Sequence, residues 1–300
     1  MSQSGYGTLH SAKSAQINRL GKEGCSIDPN NPNLPDGIEE GDQIRLTRHD
    51  GTDFAVYTAF LRSEWRAHVG RLRLSLDGRL RMNYGPLSGE QVAVSSVVVA
   101  DGLSKAEAKA HGELVEFVGN DEDSRTHART LLILAPHGGT IEINTDKVAE
   151  RIHKSSQFIQ NSILWGCLGY KVGGGAYTRW HVTSASISPR SFPKLRHLLL
   201  YQGRFDRALS IHGHSGADIL IGGAGTTATK ISIKKHLLAA DLSAAVRVLT
   251  PGMPLAGASP HNIVNRYTDD GIQIELPLNI RHLHWETVAD AIAAGMAEGP

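Results

Sequence analysis

Residues 130–142 have the sequence TLLILAPHGGTIE. The apolar run Leu131–Ala135 is typical of a strand that is buried on both faces of a sheet. Pro136 and the glycine pair 138–139 predict that this strand stops and turns sharply, which leaves His137 at its carboxyl end. Ligands of open α/β sheets bind at the carboxyl ends of the strands. This run therefore predicts an α/β fold, with the chemistry at the carboxyl ends of its strands.

Similar apolar runs of strand length recur downstream and alternate with helical patterns. Strands are predicted at 180–184, 207–212, 218–221, 246–249 and 271–276, and helices at 146–157, 192–201, 226–240 and 284–296. Strands that alternate with helices indicate a mixed, largely parallel sheet with helices on both faces. We therefore assign residues 126–300 to one α/β domain that carries the chemistry.

The chain before residue 126 has a different character. Short alternating runs, with candidate tight turns at 50–51 and 77–78, predict a small, mostly β module over 41–125. Within it a helix is predicted over 103–118, because Ser104 and Glu107 have the spacing of a capping box. Residues 1–40 contain few periodic apolar residues and many turn-formers, which predicts an irregular arm.

Composition narrows the classes of function. The 300 residues are 40% hydrophobic and 20% charged, with a net charge of +1, so we expect a folded protein that binds neither nucleic acid nor membranes over its whole surface. With Cys25 and Cys167 as its two cysteines, the chain has no disulfide framework and no cysteine-based metal site. No signal peptide or membrane-length apolar run is seen, which predicts a cytoplasmic location. The 15 histidines are many for this length and suggest metal binding or acid–base chemistry.

His137 and Glu142 form the first candidate metal site. The glycine turn between them brings together one imidazole and one carboxylate, which are two of the three ligands of a His2Glu zinc centre. His212, which follows the apolar run 208–211 and precedes a glycine, is the candidate third ligand, with His214 as a competitor. The spacing alone leaves open that these residues are a solvated turn and a structural histidine.

Glu275 interrupts a predicted strand in which Ile272, Ile274 and Leu276 are apolar, and an unpaired carboxylate is costly there. Beside a metal ion, such a carboxylate is suited to act as a general base. The alternative is an outward-facing glutamate on an edge strand, since Gln273 and Glu275 share one face. In the preceding loop, Asn262 and Arg266 are suited to bind a carboxylate, although ordinary capping of the loop is the simpler explanation.

The segment 179–207 is rich in positive charge. It contains one acidic residue, Asp206, against six cationic ones: Arg179, Arg190, Lys194, Arg196, Arg204 and Arg207. In a chain with a net charge of +1, this local enrichment favours an anionic substrate. The alternative is a basic helix face without a function.

Six motifs occur together in one order along the chain. They are APHGGTIE at 135–142, WHVTS at 180–184, SIHG at 210–213, ILIGG at 219–223, NIVNR at 262–266 and IQIE at 272–275. Their order and spacing resemble the poly-γ-glutamate hydrolase family, the zinc carboxypeptidase-like hydrolases of phages and bacteria. The resemblance covers about 130–290 and implies a three-layer α/β/α zinc-exopeptidase-like domain. A weaker similarity at 54–58 and 73–79 matches the small β module of longer members.

The resemblance also implies roles for individual residues. It implies zinc ligands at His137, Glu142 and His212, with Glu275 as the catalytic glutamate. For the substrate it implies that Asn262 and Arg266 bind carboxylates and that His181 lines the pocket; Arg179 and Arg190 are candidates to stabilise the oxyanion. The family often has acidic residues where this chain has Ala185–Arg190, which puts the contacts to the substrate's side chains in doubt.

These expectations combine into one hypothesis. The chain is expected to be a zinc metallohydrolase that cleaves amide bonds in poly-γ-glutamate or a related γ-glutamyl or acyl-amino-acid substrate, with an anionic peptide-like substrate as its partner. Two alternatives stay open: a non-catalytic binding module for an anionic polymer on a hydrolase fold, and a deacylase of small metabolites. A homo-oligomer formed through free edges of the β module is a further expectation.

Overall fold

The computed structural model of the chain describes residues 4–12, 20–62, 71–83, 89–119, 130–202 and 205–299. The chain divides into two units. Residues 1–102 and 175–192 form one unit, here called the barrel unit, and residues 103–174 and 193–300 form the other, here called the sheet unit. The boundary expected at 125–126 lies outside the described residues. The segment 175–192, expected within the 126–300 domain, belongs to the barrel unit.

Six strands of the barrel unit form a closed barrel in the order β1-β5-β2-β4-β3-β6. They are β1 Ser4–Ser11, β2 Gly24–Ile27, β3 Gln43–Arg48, β4 Phe54–Leu61, β5 Arg71–Leu74 and β6 Glu90–Ser95. The pairs β1–β5 and β2–β4 are parallel and the other pairs are antiparallel. Alternate apolar residues, such as Ile44 and Leu46 of β3 and Val92 and Val94 of β6, fill the interior.

Three expectations about this unit are corrected by the structure. Residues 1–40 are not an irregular arm, because β1 and β2 are strands of the barrel. Asp77-Gly78 is not a hairpin turn but lies in helix α1 (Leu76–Leu80), which begins where the Ser75 hydroxyl accepts the N–H of Gly78. The strand expected at 180–184 does not form in this described segment: Trp180 is the last residue of the short helix α4 (Ala176–Trp180), and 181–184 are neither strand nor helix.

Seven strands of the sheet unit form a mixed sheet in the order β12-β11-β13-β10-β8-β9-β7. They are β7 Leu114–Gly119, β8 Leu131–Gly139, β9 Ser162–Gly169, β10 Arg207–His214, β11 Ile219–Gly222, β12 Val246–Val248 and β13 Gly271–Pro277. The four neighbours β9, β8, β10 and β13 are parallel, while β7 and the pair β11–β12 run the other way. The prediction of a mixed, largely parallel sheet is confirmed.

The helices of the sheet unit are α2 Lys105–His111, α3 Thr145–His153, α5 Pro193–Gln202, α6 Thr227–Ala239, α7 Ile263–Arg266, α8 Leu278–Leu283 and α9 Trp285–Glu298. Helices α3, α6 and α9 share one apolar core with β8, β10 and β13. The helices predicted at 146–157, 192–201, 226–240 and 284–296 are confirmed with small shifts at their ends. Across the described part of the chain, no helix has the length and apolar character that crossing a membrane requires.

The helix expected over 103–118 is only half correct. Its start is confirmed, since Ser104 and Glu107 form a reciprocal capping box at the first turn of α2. The helix ends at His111 because Gly112 takes a left-handed conformation, with φ near 70°. Residues 114–119 then form β7, which pairs with β9.

Candidate metal centre

Two adjacent parallel strands place the candidate ligands. His137 lies near the carboxyl end of β8, and His212 lies near the carboxyl end of its neighbour β10. Glu142 lies in the loop that joins β8 to α3, and its N–H donates a 2.9 Å hydrogen bond to the carbonyl oxygen of His137. This hydrogen bond folds the loop back so that the carboxylate faces the two imidazoles.

The glycines of this loop have definite roles. Strand β8 does not stop at Pro136 as expected but continues to Gly139, with an irregular register between Ala135 and Gly138. A Cβ atom on Gly138 would lie 2.5 Å from Cδ2 of Leu168, so only glycine fits beside the neighbouring strand. Gly139 has φ near 70°, a conformation that favours glycine, and the chain turns there towards Glu142.

The three candidate ligand side chains are buried and lie in direct contact. His137 Nδ1 is 3.1 Å from Glu142 Oε1 and 3.2 Å from His212 Nδ1, and His212 Nδ1 is 3.7 Å from Glu142 Oε2. A tetrahedral zinc ion with bonds of about 2.0–2.1 Å holds its ligand atoms about 3.3 Å apart. The donor set and its spacing therefore fit a zinc ion, and these three residues could hold one.

Electrostatics favours the ligand form of this cluster. Burial disfavours the charge on Glu142, but the charges and hydrogen bonds of His137 and His212 hold its pKa well below the ordinary value. Burial also lowers the pKa of His212, despite the opposing effect of Glu142. An ionised Glu142 carboxylate and a neutral His212 imidazole are the forms of these two side chains that bind a metal ion.

Neighbouring groups fix the ligands in place. Ser210, two residues before His212 on the same strand face, has its Oγ 2.8 Å from His212 Nε2. The second imidazole nitrogen is thereby held while Nδ1 faces the cluster. The N–H of Gly213 donates a 2.8 Å hydrogen bond to Glu142 Oε2, which ties the loop carboxylate to β10.

Glu275 lies on β13 in register with His212 on β10. It is buried, and β13 lies between β10 and β11, so the alternative of a solvated glutamate on an edge strand is wrong. Burial raises the pKa of Glu275 to about 8, and the negative charge of Glu142 adds to this effect. A carboxyl group with such a pKa can accept and return a proton near neutral pH.

An amide relay holds Glu275. Gln273 Nε2 donates a 2.9 Å hydrogen bond to Glu275 Oε1, and Gln273 Oε1 accepts a 2.8 Å hydrogen bond from Asn262 Nδ2. The other end of the Asn262 amide accepts the N–H of Val264 at the start of α7. Both ends of the buried Asn262 side chain therefore bind within the protein. A Cβ atom on Gly257 would lie 2.4 Å from Gln273 Oε1, so glycine at this position leaves room for the Gln273 amide.

The other residues predicted to bind substrate lie in two places. Arg266, in α7 of the sheet unit, donates a 2.8 Å hydrogen bond to the carbonyl oxygen of His261. His181, Arg179 and Arg190 belong to the barrel unit. There Arg179 pairs with Asp53, His181 Nδ1 is 2.6 Å from Glu23 Oε1, and Arg190 pairs with Glu39 and Asp42. His214, the competing ligand, has its Nε2 2.8 Å from the carbonyl oxygen of Asp218.

Sequence reasoning did not identify Gln273 or Arg281 as parts of the site. The signal for Gln273 was its position two residues before Glu275, on the same strand face. Arg281 is buried in α8, and Glu142 and Glu275 both act on its charge. Nothing in its local sequence marks it, because α8 carries neighbouring basic residues that are ordinary for a helix end.

The sequence has recognisable relatives. The family model of poly-gamma-glutamate hydrolase matches residues 115–292. The SPbeta prophage-derived UPF0714 protein YoqZ of Bacillus subtilis (strain 168) is 29% identical over 190 residues, which is 62% of this chain and 61% of that protein. UPF0714 protein YndL of the same organism is 31% identical over 154 residues, which is 50% of this chain and 54% of that protein. The matches thus span less than two thirds of either relative.

Two solved structures are also similar. A bacteriophage poly-gamma-glutamate hydrolase is 21% identical, with a TM-score of 0.48, over 64% of this chain and 95% of that chain. A zinc-free apo form of YndL is 21% identical, with a TM-score of 0.47, over 62% of this chain and 90% of that chain.

Proposed function

Because the chain belongs to the poly-gamma-glutamate hydrolase family, we propose that it is a zinc-dependent hydrolase of amide bonds in poly-γ-glutamate or a related γ-glutamyl or anionic acyl-amino-acid substrate. One observation carries the proposal: the buried cluster of His137, Glu142 and His212 lies next to Glu275, a buried carboxyl group with a raised pKa. All four residues fall within the family match. We propose that the sheet unit is a zinc-exopeptidase-like domain and that the reaction takes place there.

His137, Glu142 and His212 would hold the zinc ion. Their two imidazoles and one carboxylate are the donor types that zinc accepts in hydrolases, and a site with three protein ligands keeps one position open. Zinc in such a site polarises the scissile carbonyl and lowers the pKa of the attacking water. Ser210 and Gly213 keep His212 and Glu142 in the binding orientation.

Glu275 is the general base and then the general acid of this mechanism. It takes a proton from the attacking water and delivers the proton to the leaving amine, so one carboxyl group serves both halves of the reaction. Its register with His212 places it one strand away from the ligand cluster. Gln273 holds one carboxylate oxygen, so the other oxygen, Oε2, is available for the transfer.

The residues predicted to bind substrate fall into two groups, those of the sheet unit and those of the barrel unit. Arg266 is the proposed partner of a substrate carboxylate, since it lies in the sheet unit at the loop that carries Asn262. Asn262 itself we assign to the support of Glu275, because both ends of its amide are bound within the protein. For Arg179, Arg190 and His181, the ion pairs with acidic residues of the barrel unit support a structural role there.

The first test measures zinc by elemental mass spectrometry on the wild type, His137→Ala and His214→Ala. We expect about one zinc per chain in the wild type and in His214→Ala, and loss of zinc in His137→Ala. His214→Ala is the matched control, because this histidine lies on the same strand end but bonds to a backbone carbonyl. A wild type that takes up no zinc when it is reconstituted would contradict the proposal and favour the non-catalytic binding module.

The second test incubates poly-γ-glutamate with the zinc-loaded protein and follows new amine ends and polymer length. We expect hydrolysis by the wild type, and a loss of about 10²–10⁴-fold in Glu275→Gln with its zinc retained. Near-normal turnover in that variant would remove Glu275 as the general base. Hydrolysis of short acyl-amino acids without cleavage of the polymer would favour the small-metabolite deacylase.

A further inference from the structure

Arg281 has no role in the proposed reaction, although it lies close to the candidate metal centre. Its side chain is buried behind the candidate metal centre, and two of its nitrogens donate to backbone carbonyls on different elements. Nη1 donates a 2.7 Å hydrogen bond to Ile143, next to Glu142, and Nε donates a 3.1 Å hydrogen bond to Leu276, next to Glu275. One guanidinium therefore joins the residue after a candidate ligand to the residue after the candidate base.

The guanidinium also packs against the end of β10. A Cβ atom on Gly213 would lie 2.3 Å from Arg281 Cζ, so the guanidinium occupies the space of a side chain at position 213. Gly213 lies within β10 and has no positive φ, so packing rather than backbone conformation requires glycine here. Its N–H is the group that holds Glu142 Oε2.

A return contact fixes the backbone of Arg281 itself. Asn144 Nδ2, two residues after Glu142, donates a 2.8 Å hydrogen bond to the carbonyl oxygen of Arg281. Two side-chain hydrogen bonds therefore join α8 to the β8–α3 loop: Arg281 of α8 binds a loop carbonyl, and Asn144 of the loop binds the carbonyl of Arg281. Burial lowers the pKa of Arg281, and the negative charges of Glu142 and Glu275 oppose that shift. The ionised carboxylate of Glu142, which the guanidinium helps to place, therefore balances part of its charge.

We propose that Arg281 is the positioning residue of the site, which clamps the β8–α3 loop to the ends of β10 and β13 and so fixes Glu142 and Glu275 relative to the two histidines. This inference rests on the proposed function. The two donors bound to backbone carbonyls favour a clamp over a substrate-binding arginine. Lysine cannot replace the clamp, because its single ammonium group lacks the planar fork that reaches both carbonyls while packing on Gly213.

The test compares Arg281→Lys with the wild type in two measurements. The first is the loss of zinc to a competing chelator, where we expect zinc affinity to fall about 10–100-fold, as for other groups that orient metal ligands. The second is hydrolysis of poly-γ-glutamate, where we expect kcat to fall at least about tenfold while KM stays within about twofold. The matched control is Arg151→Lys: Arg151 also makes two hydrogen bonds through its fork, but to Asp290 on the exposed surface of the same unit. This control is expected to match the wild type in both measurements.

Gly213→Ala gives an independent test in case Arg281→Lys does not fold. It keeps Arg281 but displaces its guanidinium, so the same two losses are expected. The double variant is expected to lose little more than either single variant, because all three remove one clamp.

Three results would overturn the inference. One is unchanged zinc affinity and kcat in a folded Arg281→Lys or Gly213→Ala. Another is a raised KM with unchanged kcat, which would make Arg281 a substrate-binding residue. The third is additive losses in the double variant. A wild type that binds no zinc or cleaves no substrate would instead be a failure of the proposed function, and it is measured first in the same series.

Discussion

Glu275 shows what burial does to a single residue. Its pKa of about 8 means that the folded protein without metal keeps a proton that the unfolded chain releases above its ordinary pKa of 4.5. The folded state therefore binds more protons between these two values, and the stability of the metal-free protein falls as pH rises through this window. Below it both states are protonated and the effect vanishes.

Replacing Glu275 by glutamine should remove this pH dependence. In the metal-free protein at pH 8, Glu275→Gln is expected to raise the free energy of unfolding by about 2–4 kcal/mol and the melting temperature by several degrees. At pH 4 the two proteins should melt together. Thermal melts in the presence of a chelator across this range check the prediction, and equal melting temperatures at pH 8 would show that burial does not raise the pKa of Glu275.

Asn262 allows a second prediction at this scale. If it supports Glu275 through Gln273, Asn262→Ala should lower kcat about tenfold or more and leave KM within about twofold. A residue that binds a substrate carboxylate would instead raise KM. Steady-state kinetics on poly-γ-glutamate decide between the two, with Asn161→Ala, an exposed residue of the same unit, as the control.

Single residues also show which parts of the candidate site can be predicted from the sequence. His137, Glu142 and His212 come together as expected, because residues at adjacent strand ends meet at one sheet edge whatever the details of the loops. The alternation of β13 put Gln273 and Glu275 on one face but could not tell a buried face from a solvated one. The position of Arg281 depends on contacts with the β8–α3 loop, β10 and β13, and no local pattern encodes these contacts.

Strand pairing at the β7 edge of the sheet gives a prediction at the scale of elements. Phe117 of β7 lies in register with Gly166 of β9, and a Cβ atom on Gly166 would lie 2.0 Å from the Phe117 ring. Gly166→Ala should therefore destabilise the sheet unit by about 1–3 kcal/mol, because the ring has to move.

The second half of this experiment is a compensating change. Phe117→Ala in the Gly166→Ala background makes room for the new methyl group, so the combined destabilisation should be smaller than the sum of the two single effects. Denaturant titration of the three variants measures this coupling. Additive effects would mean that the ring does not contact position 166.

Elements were predictable where the local pattern and the tertiary contacts agree. Helices α3, α6 and α9 carry an apolar face that packs on the sheet, and their positions were predicted closely. β1 was missed because its sequence SGYGTLHS is mostly polar, and its place is set by pairing with β5 and β6. The strand expected at 180–184 is wrong: Trp180 ends α4, and the carbonyl of His181 binds the Arg81 side chain instead of a neighbouring strand.

At the scale of the whole molecule, the barrel unit is built from two separate parts of the chain. The segment 175–192 supplies Arg179 to the buried carboxylate of Asp53, and His181 to Glu23. The sequence patterns placed boundaries at 40–41 and 125–126 and could not reveal that the chain returns to its first unit. Such a return leaves no local signal, because each part has an ordinary sequence for its own position.

Truncation tests this arrangement. A fragment of residues 1–102 would lose the ion pair of Asp53 with Arg179, the contact of Glu23 with His181 and two of the carbonyls that Arg81 binds, which is destabilising. We expect this fragment to lack a cooperative thermal transition, and a fragment with 175–192 joined through a flexible linker to regain one. Circular dichroism melts compare the two, and equal cooperative melting would contradict the prediction.

Because the barrel unit is divided along the chain, its two parts are synthesised at different times. A ribosome that has finished β6 must translate all of residues 103–174 before the last part of the barrel unit emerges, which takes roughly 4–15 s at about 5–20 residues per second. During that interval the nascent barrel exposes Asp53, Glu23 and Arg81 to water and to chaperones. Substitutions in 175–192 that disturb no catalytic residue are therefore expected to lower the yield of folded protein in the cell.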